Sequence, residues 1–219
     1  MCPPLLYEAL FPRHAALLLL RLPHVLGGEM LPLLLTPKRF QDERGWFSEI
    51  YNASRWAQAG IVESFVQDNH SFSAELRTLR GLHFQAEPYG QAKLVRCVVG
   101  SVWDVVVDIR NGSPTWGTWR AATLTAAAGE QMYVPVGFAH GFLTLEAGCE
   151  VHYKTSEFYA PSHERAIAWD DPDLAIPWPV AGSQPILSTK DSKAPGLSDL
   201  ESTFVYAGAP FETLEVVSP

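Results

Sequence analysis

The stretch Leu79-Arg80-Gly81-Leu82-His83-Phe84-Gln85 holds one imidazole between apolar neighbours, with an arginine three residues upstream. Histidine gives or takes a proton near neutrality, its ordinary pKa being about 6.5. A lone histidine of this kind is more often a core group that satisfies its nitrogens against backbone, so other residues must raise it to a catalytic candidate. A second segment supplies further chemistry. In Val151-His152-Tyr153-Lys154-Thr155, strand alternation puts Tyr153 on one face with Val151 and Thr155 and turns His152 to the other. A tyrosine there serves equally well as a core group or as a proton donor. Arg80 and His83 pose a geometric difficulty, because residues three apart on a regular strand point to opposite faces. Both can serve one pocket only if Gly81 breaks the alternation, so the sequence predicts a bulge over Arg80–Leu82.

These groups need rigid strands to place them. Lys93 to Val99 alternates, with Lys93, Val95, Cys97 and Val99 on one face. Val102 to Ile109 puts Trp103, Val105, Val107 and Ile109 together, and leaves Asp104 and Asp108 with Val102 and Val106 as hydrogen-bonded structural acids. Further strands are predicted over Trp46–Tyr51, Ser64–His70, Trp119–Thr125, Gln131–Val134, His140–Leu145 and Glu150–Ser156, with a polar break at Ser71–Arg77. The modest helical signal spans Asn52 to Gly60, with a cap at Asn52 or Ser54 and Gly60 as a stop. Short strands separated by Gly, Pro and Asn turns, with almost no helix, predict an all-β sandwich or barrel. From Asp170 the chain is proline-rich and irregular, and Trp169 and Trp178 are expected to pack on the barrel wall.

Composition narrows the function classes. With 47% of 219 residues apolar, the chain can bury a sizeable core. A formal charge of −8 argues against nucleic acid as a partner, yet a few cations gathered in one cleft can still hold an anionic small ligand. Cys2, Cys97 and Cys149 are widely spaced and odd in number, which gives neither a disulfide framework nor a CxxC metal signature and fits a reducing, cytoplasmic setting. The run Ala15–Leu20 is short and interrupted by Arg21 and Pro23, so it reads as neither signal core nor membrane span. The expected organisation is a poorly ordered extension over residues 1–29, a domain over 30–199 and a C-terminal tail over 200–219.

Gly129, Pro135, Gly137 and His140 have the spacing of the second cupin motif, in which the glycines turn a hairpin and His140 points into a barrel. A metal cupin also needs a first motif with two histidines, whereas Leu82-His83-Phe84-Gln85 offers one, with Gln85 where the second would stand. Two imidazoles alone make a poor zinc or iron site, so no metal is expected.

Several blocks stand in order: Asp42-Glu43-Arg44-Gly45-Trp46-Phe47, Phe65-Val66-Gln67-Asp68-Asn69-His70-Ser71, Leu79–Gln85, Lys93–Gly100, Val105–Arg110, Ser113-Pro114-Thr115 and Gly137-Phe138-Ala139-His140-Gly141-Phe142. Together they resemble the dTDP-4-dehydrorhamnose 3,5-epimerase family from about Thr36 to Asp199. The resemblance implies a cupin-type jelly roll with short peripheral helices, a homodimer, no cofactor, and a dTDP-4-keto-6-deoxyhexose substrate in rhamnose synthesis. It implies His83 as the base, Asp191 as its carboxylate partner and Tyr153 as the acid on the opposite face of the sugar. It further implies that Gln67, Asn69, Arg80, Lys93 and His140 line the sugar and diphosphate. Arg44, Phe47 and Glu49 would hold the nucleotide, in part across the dimer, and Glu164 would join the substrate site.

Those residue types suit the chemistry. A proton on a carbon beside a ketone is labile because its loss gives an enolate, and a 4-keto sugar has two such carbons, C3 and C5. Epimerisation needs a base on one face and a donor on the other. A carboxylate can fix the imidazole tautomer, and Lys93 or a protonated His140 can steady the enolate oxygen. A single-position epimerase would share these motifs. A sugar-binding cupin without activity, and a metal cupin oxygenase, are the rivals from other classes.

Overall fold

A computed structural model describes residues 30–219 of the chain. The extension expected over residues 1–29 lies outside the described residues. Strands are numbered in chain order. One sheet runs β12 (Glu164–Ala166), β5 (Leu79–Gln85), β10 (Phe138–Thr144), β7 (Ser101–Asp108), β8 (Trp119–Thr125). The other runs β13 (Glu215–Val217), β1 (Leu33–Leu35), β9 (Gln131–Val134), β6 (Lys93–Val99), β11 (Cys149–Thr155), β4 (Gln67–Ser73). A two-stranded ribbon, β2 (Arg39–Asp42) with β3 (Gly45–Ser48), pairs only with itself. The chain crosses repeatedly between two facing sheets, an all-β sandwich of jelly-roll type.

Alternation along the strands sorts the apolar residues into three layers. Between the sheets, Val102, Val106 and Phe142 of one meet Val95, Met132 and Val151 of the other. On the outer face of the five-stranded sheet, Leu82, Val105 and Val107 are covered by Ile167, Leu174, Trp178 and Leu197 from the irregular segment after β12. Trp178 donates its indole N–H to the Trp169 carbonyl at 2.7 Å, so the proline-rich stretch packs on the wall as expected. On the outer face of the six-stranded sheet, Leu94 and Tyr133 are covered by Trp56 of α1 (Ala53–Gln58). Asn52 caps that helix by accepting the N–H groups of Ser54 and Arg55. Each large apolar side chain so buried contributes about 1.5–3 kcal/mol.

Three boundaries differ from the sequence expectation. The strand predicted over Ser64–His70 starts later and continues to Ser73, through residues read as a polar break. Its inward positions are polar, so apolar alternation is absent, yet β4 pairs along its whole length with β11. The strand predicted over Trp46–Tyr51 stops at Ser48, where the ribbon ends. Residues 200–219 are packed into the domain and do not form a separate tail: Phe211 is fully buried between the sheets and β13 adds a parallel edge strand to β1. Asp108 is a structural acid as expected, accepting from Arg110, Ser113 and Thr115 within 3 Å.

Candidate active site

The bulge predicted at Arg80–Leu82 is present and can be read from the register. His83 pairs with His140 and Arg80 pairs with Phe142, so two residues on β5, Gly81 and Leu82, stand opposite Gly141 alone on β10. The extra residue is Gly81, whose φ of +128° favours glycine. A Cβ there would lie 2.5 Å from the Gly141 Cα and 2.8 Å from the His140 carbonyl oxygen. Leu79, Leu82 and Phe84 therefore share the outer core, and Arg80 and His83 both face the space between the sheets.

That space contains a cavity of about 290 Å³. The five-stranded sheet contributes Arg80, His83, His140 and Phe142, and the six-stranded sheet contributes Ser71, Lys93 and Tyr153. Glu164 of β12 and the Ser188, Lys190 and Asp191 segment close the rest. His83 and Tyr153 thus stand on facing walls of one cavity. A larger open cleft of about 800 Å³ lies over Trp116, Trp119, Leu174 and Leu197. Its arginine, Arg120, is spent on the carbonyls of Trp119 and Glu212, and it holds no paired acid and base.

His83 Nε2 lies 2.5 Å from Asp191 Oδ1. Asp191 is 4% exposed, held by a short 3-10 turn (Asp191–Lys193), and its own N–H donates to the Ser188 hydroxyl. Burial pushes the Asp191 carboxyl up, but the His83 hydrogen bond and charge outweigh it and leave the group below its ordinary value. A carboxylate accepting at Nε2 assigns the proton to that nitrogen and leaves Nδ1 as the basic one. Burial raises the Tyr153 phenol, partly offset by the positive charge of Arg80, so it stays protonated at neutral pH. Lys93 donates to the His83 carbonyl at 3.2 Å, and burial of its ammonium lowers its pKa to about 8. Arg80 is fixed by the Ser73 hydroxyl and the Phe72 carbonyl. His140 Nε2 lies 2.9 Å from Asp104 Oδ2. Among the described residues no group of three or more His, Cys, Asp or Glu side chains is arranged to hold a metal ion.

This arrangement sets a carboxylate-paired imidazole and a phenol on two walls of one cavity, with cationic side chains on both. A family model described as dTDP-4-dehydrorhamnose 3,5-epimerase matches residues 32–199. The chain belongs to the dTDP-4-dehydrorhamnose 3,5-epimerase family. A relative of that description from Shigella flexneri is 51% identical over 160 residues, covering 73% of this chain and 87% of its own. The crystal structure of a Bacillus anthracis dTDP-4-dehydrorhamnose 3,5-epimerase with TDP and PPi bound is 48% identical, covers 75% of this chain and 93% of its own, and superposes with a TM-score of 0.73. A Legionella pneumophila dTDP-6-deoxy-D-glucose-3,5-epimerase in complex with dTDP-4-keto-L-rhamnose is 43% identical, covers 80% and 92%, and has a TM-score of 0.74.

Of the residues that the family resemblance pointed to, His83, Tyr153, Asp191, Arg80, Lys93, His140 and Glu164 come together around the cavity. Gln67 and Asn69 do not line it. They sit further along β4, where Gln67 donates to the Asn69 carbonyl oxygen and accepts the Tyr159 N–H. Arg44, Phe47 and Glu49 also lie outside it. Arg44 is on the free ribbon, its side chain 83% exposed and paired with Asp42; Phe47 is 68% exposed; Glu49 pairs with Arg55. Among the described residues the ribbon pairs with neither main sheet, and none of these three side chains lines the cavity.

Three features of the epimerase-family site escaped the sequence reading. One is the partner of Asp104: the expected hydrogen-bonded structural acid bonds a cavity histidine, and its place between Val102 and Val106 on a buried face was the signal that it needed one. Lys190 is paired with Glu164 at 2.5 Å, and Glu164 also accepts the Tyr159 hydroxyl. Gln85, standing where a second cupin histidine would be, is 3% exposed. It spends its amide on the carbonyls of Tyr89 and Phe158 and on the Ala160 N–H. It braces the wall next to His83.

Proposed function

We propose that this chain epimerises C3 and C5 of a dTDP-4-keto-6-deoxyhexose, converting dTDP-4-dehydro-6-deoxy-glucose to dTDP-4-dehydro-rhamnose. The observation that carries this reading is the single cavity shared by the His83–Asp191 pair and the Tyr153 phenol on facing walls. His83 Nδ1 takes the proton from the carbon beside the ketone, and the C–H electron pair moves into the enolate. The carboxylate of Asp191 stabilises the imidazolium. Tyr153 then delivers a proton to the opposite face of the same carbon, which inverts it. Lys93, with one N–H on the His83 carbonyl, has others for the enolate oxygen, and His140 stands beside it on the facing strand. No electron leaves the substrate, so the reaction draws on no redox partner.

The nucleotide end of the substrate needs more surface than the cavity supplies. In our reading, two copies of the chain pair so that the β2–β3 ribbon of one brings Arg44, Phe47 and Glu49 to the cavity of the other. The ribbon carries exposed Phe40, Trp46 and Phe47, an apolar surface that a second copy would cover. Gln67 and Asn69 would act on the same end of the substrate. Cys97 and Cys149 are free and buried, which fits a cytoplasmic enzyme.

The test is product analysis. Nucleotide-linked 4-keto-6-deoxy-glucose is incubated with the enzyme, reduced with borohydride and hydrolysed. Rhamnose among the resulting sugars supports the assignment. Only 6-deoxyglucose and its C4 epimer, as without enzyme, would overturn it, and sugars inverted at one carbon would make the chain a single-position epimerase.

A further inference from the structure

Behind His140, which lines the cavity, stands a second carboxylate that the proton transfers above do not use. Asp104 sits on β7, across from Phe142 in the ladder with β10, and is fully buried. One oxygen, Oδ2, lies 2.9 Å from His140 Nε2 and accepts its N–H. The other, Oδ1, is buried and has no hydrogen-bond partner among the described residues. A buried carboxylate with an open oxygen is costly unless a nearby cation balances its charge. The cations around this cavity are Arg80, Lys93 and Lys190. Lys190 is held by Glu164, and Arg80 is turned to Ser73 and Phe72. Lys93 remains, its ammonium enclosed and its hydrogen bond going to a neutral carbonyl.

We propose that Asp104 is a positioning residue for this reaction: a buried counter-charge that orients His140 and keeps Lys93 protonated while the two hold the enolate oxygen. The proposal rests on the enolate role assigned above to Lys93 and His140. His83, His140 and Lys93 line one cavity because His83 and His140 are direct partners across β5 and β10, and Lys93 reaches the His83 carbonyl from the other sheet. Asp104 is tied to that cluster from below by His140. Other charged or titratable groups around the cluster are His83 and Arg80 from β5, Tyr153 from β11, Glu164 from β12, and Lys190 and Asp191 from the late segment.

The electrostatics point the same way. Burial is the largest influence on the Lys93 ammonium and lowers its pKa; Asp104 is the strongest of the charges that pull it back up, ahead of Glu164, while Lys190 lowers it. Without Asp104 the burial penalty would stand with less opposition. The amine would then lose its proton at a lower pH, and the enolate would lose its cation there.

The test replaces the charge and keeps the shape. In Asp104→Asn, the titration of Lys93 is read by competitive acetylation and mass spectrometry across about pH 6–10, without substrate. The pH dependence of kcat is read beside it. The expected result is that the Lys93 midpoint and the alkaline limb of kcat both move down by about one pH unit, a tenfold change in protonated amine at a fixed alkaline pH. Asp104→Glu, which keeps the charge, leaves both in place. Should Asn at 104 not fold, Asp104→Ser removes the charge with a smaller group and gives the same shift. Unchanged midpoints in an uncharged variant that has only lost thermal stability would overturn the proposal and make Asp104 a packing residue. The acetylation arm stands apart from the epimerase assignment: failure of the wild type to act on a 4-keto sugar would sink that assignment and leave the Lys93 titration as it is.

Discussion

The imidazole of His83 and the carboxylate of Asp191 are 2.5 Å apart although 108 residues separate them in the chain. One is on a central strand and the other in a 3-10 turn laid against it, so the pair exists only in the folded protein. Asp191→Asn should keep the volume but remove the charge that stabilises an imidazolium. We expect kcat for epimerisation to fall about 10²–10⁴-fold, the range for a positioned acid–base group, with a small change in KM. Steady-state kinetics of the variant checks this, and a wild-type kcat would remove Asp191 from the mechanism.

If Lys93 holds the enolate oxygen as proposed, it sets an upper pH limit. Its folded pKa, about 8, is depressed from the ordinary lysine value by burial. Below that pH it is a cation and can hold the enolate oxygen, and above it the charge is lost. The kcat profile should therefore fall on its alkaline side with a midpoint near the Lys93 value. Lys93→Arg, which keeps its charge through this range, should lose that limb even if its rate is lower throughout.

Gly81 is the backbone device that puts Arg80 and His83 on one wall. Gly81→Ala would force a Cβ to 2.5 Å from Gly141 and place alanine at a φ of +128°. We expect a loss of about 2–4 kcal/mol, the combination of backbone strain and overpacking, each worth about 1–3 kcal/mol. That corresponds to a fall in melting temperature of roughly 4–16 °C for a chain of this size. Thermal unfolding followed by circular dichroism measures it, and activity should fall further than stability because the two walls of the site shift.

The exposed ribbon makes a separate prediction. If its Phe47 serves the partner's cavity, Phe47→Ala should raise KM for the nucleotide sugar about tenfold or more and leave kcat within a few-fold, as expected for lost binding away from the reacting carbons. Sedimentation of the wild type should give a dimer. A monomer with wild-type kinetics in the variant would contradict the arrangement.

Alternation and turn residues made most of the sandwich legible. Lys93–Val99 is found as read, and the bulge at Gly81 follows from two site residues spaced three apart. Alternation and motif spacing placed Tyr153 and His140 inward, whereas His83 was assigned to the site by the family resemblance. β4 was legible only in part, because its inward residues Gln67, Asn69, Ser71 and Ser73 are polar and mimic a loop. Asp191 carries no local signal; in an irregular segment a carboxylate reads as solvated, and only the family resemblance singled it out. Asp104 is the buried, hydrogen-bonded acid that was expected, but strand pattern does not show which group will meet it, so its partner His140 was not foreseen. The ribbon residues were named, yet no property of a single chain brings them to the cavity.

The central claim is that one base and one acid act on both carbons beside the ketone from opposite walls. Proton NMR of the nucleotide-linked 4-keto-6-deoxy-glucose, incubated with the enzyme in D₂O, tests it most directly. The account predicts loss of the C3 and C5 proton signals with wild type, and exchange reduced about 10²-fold or more with His83→Asn. Exchange at both carbons that persists unchanged in His83→Asn, or no exchange with the wild type, would contradict it.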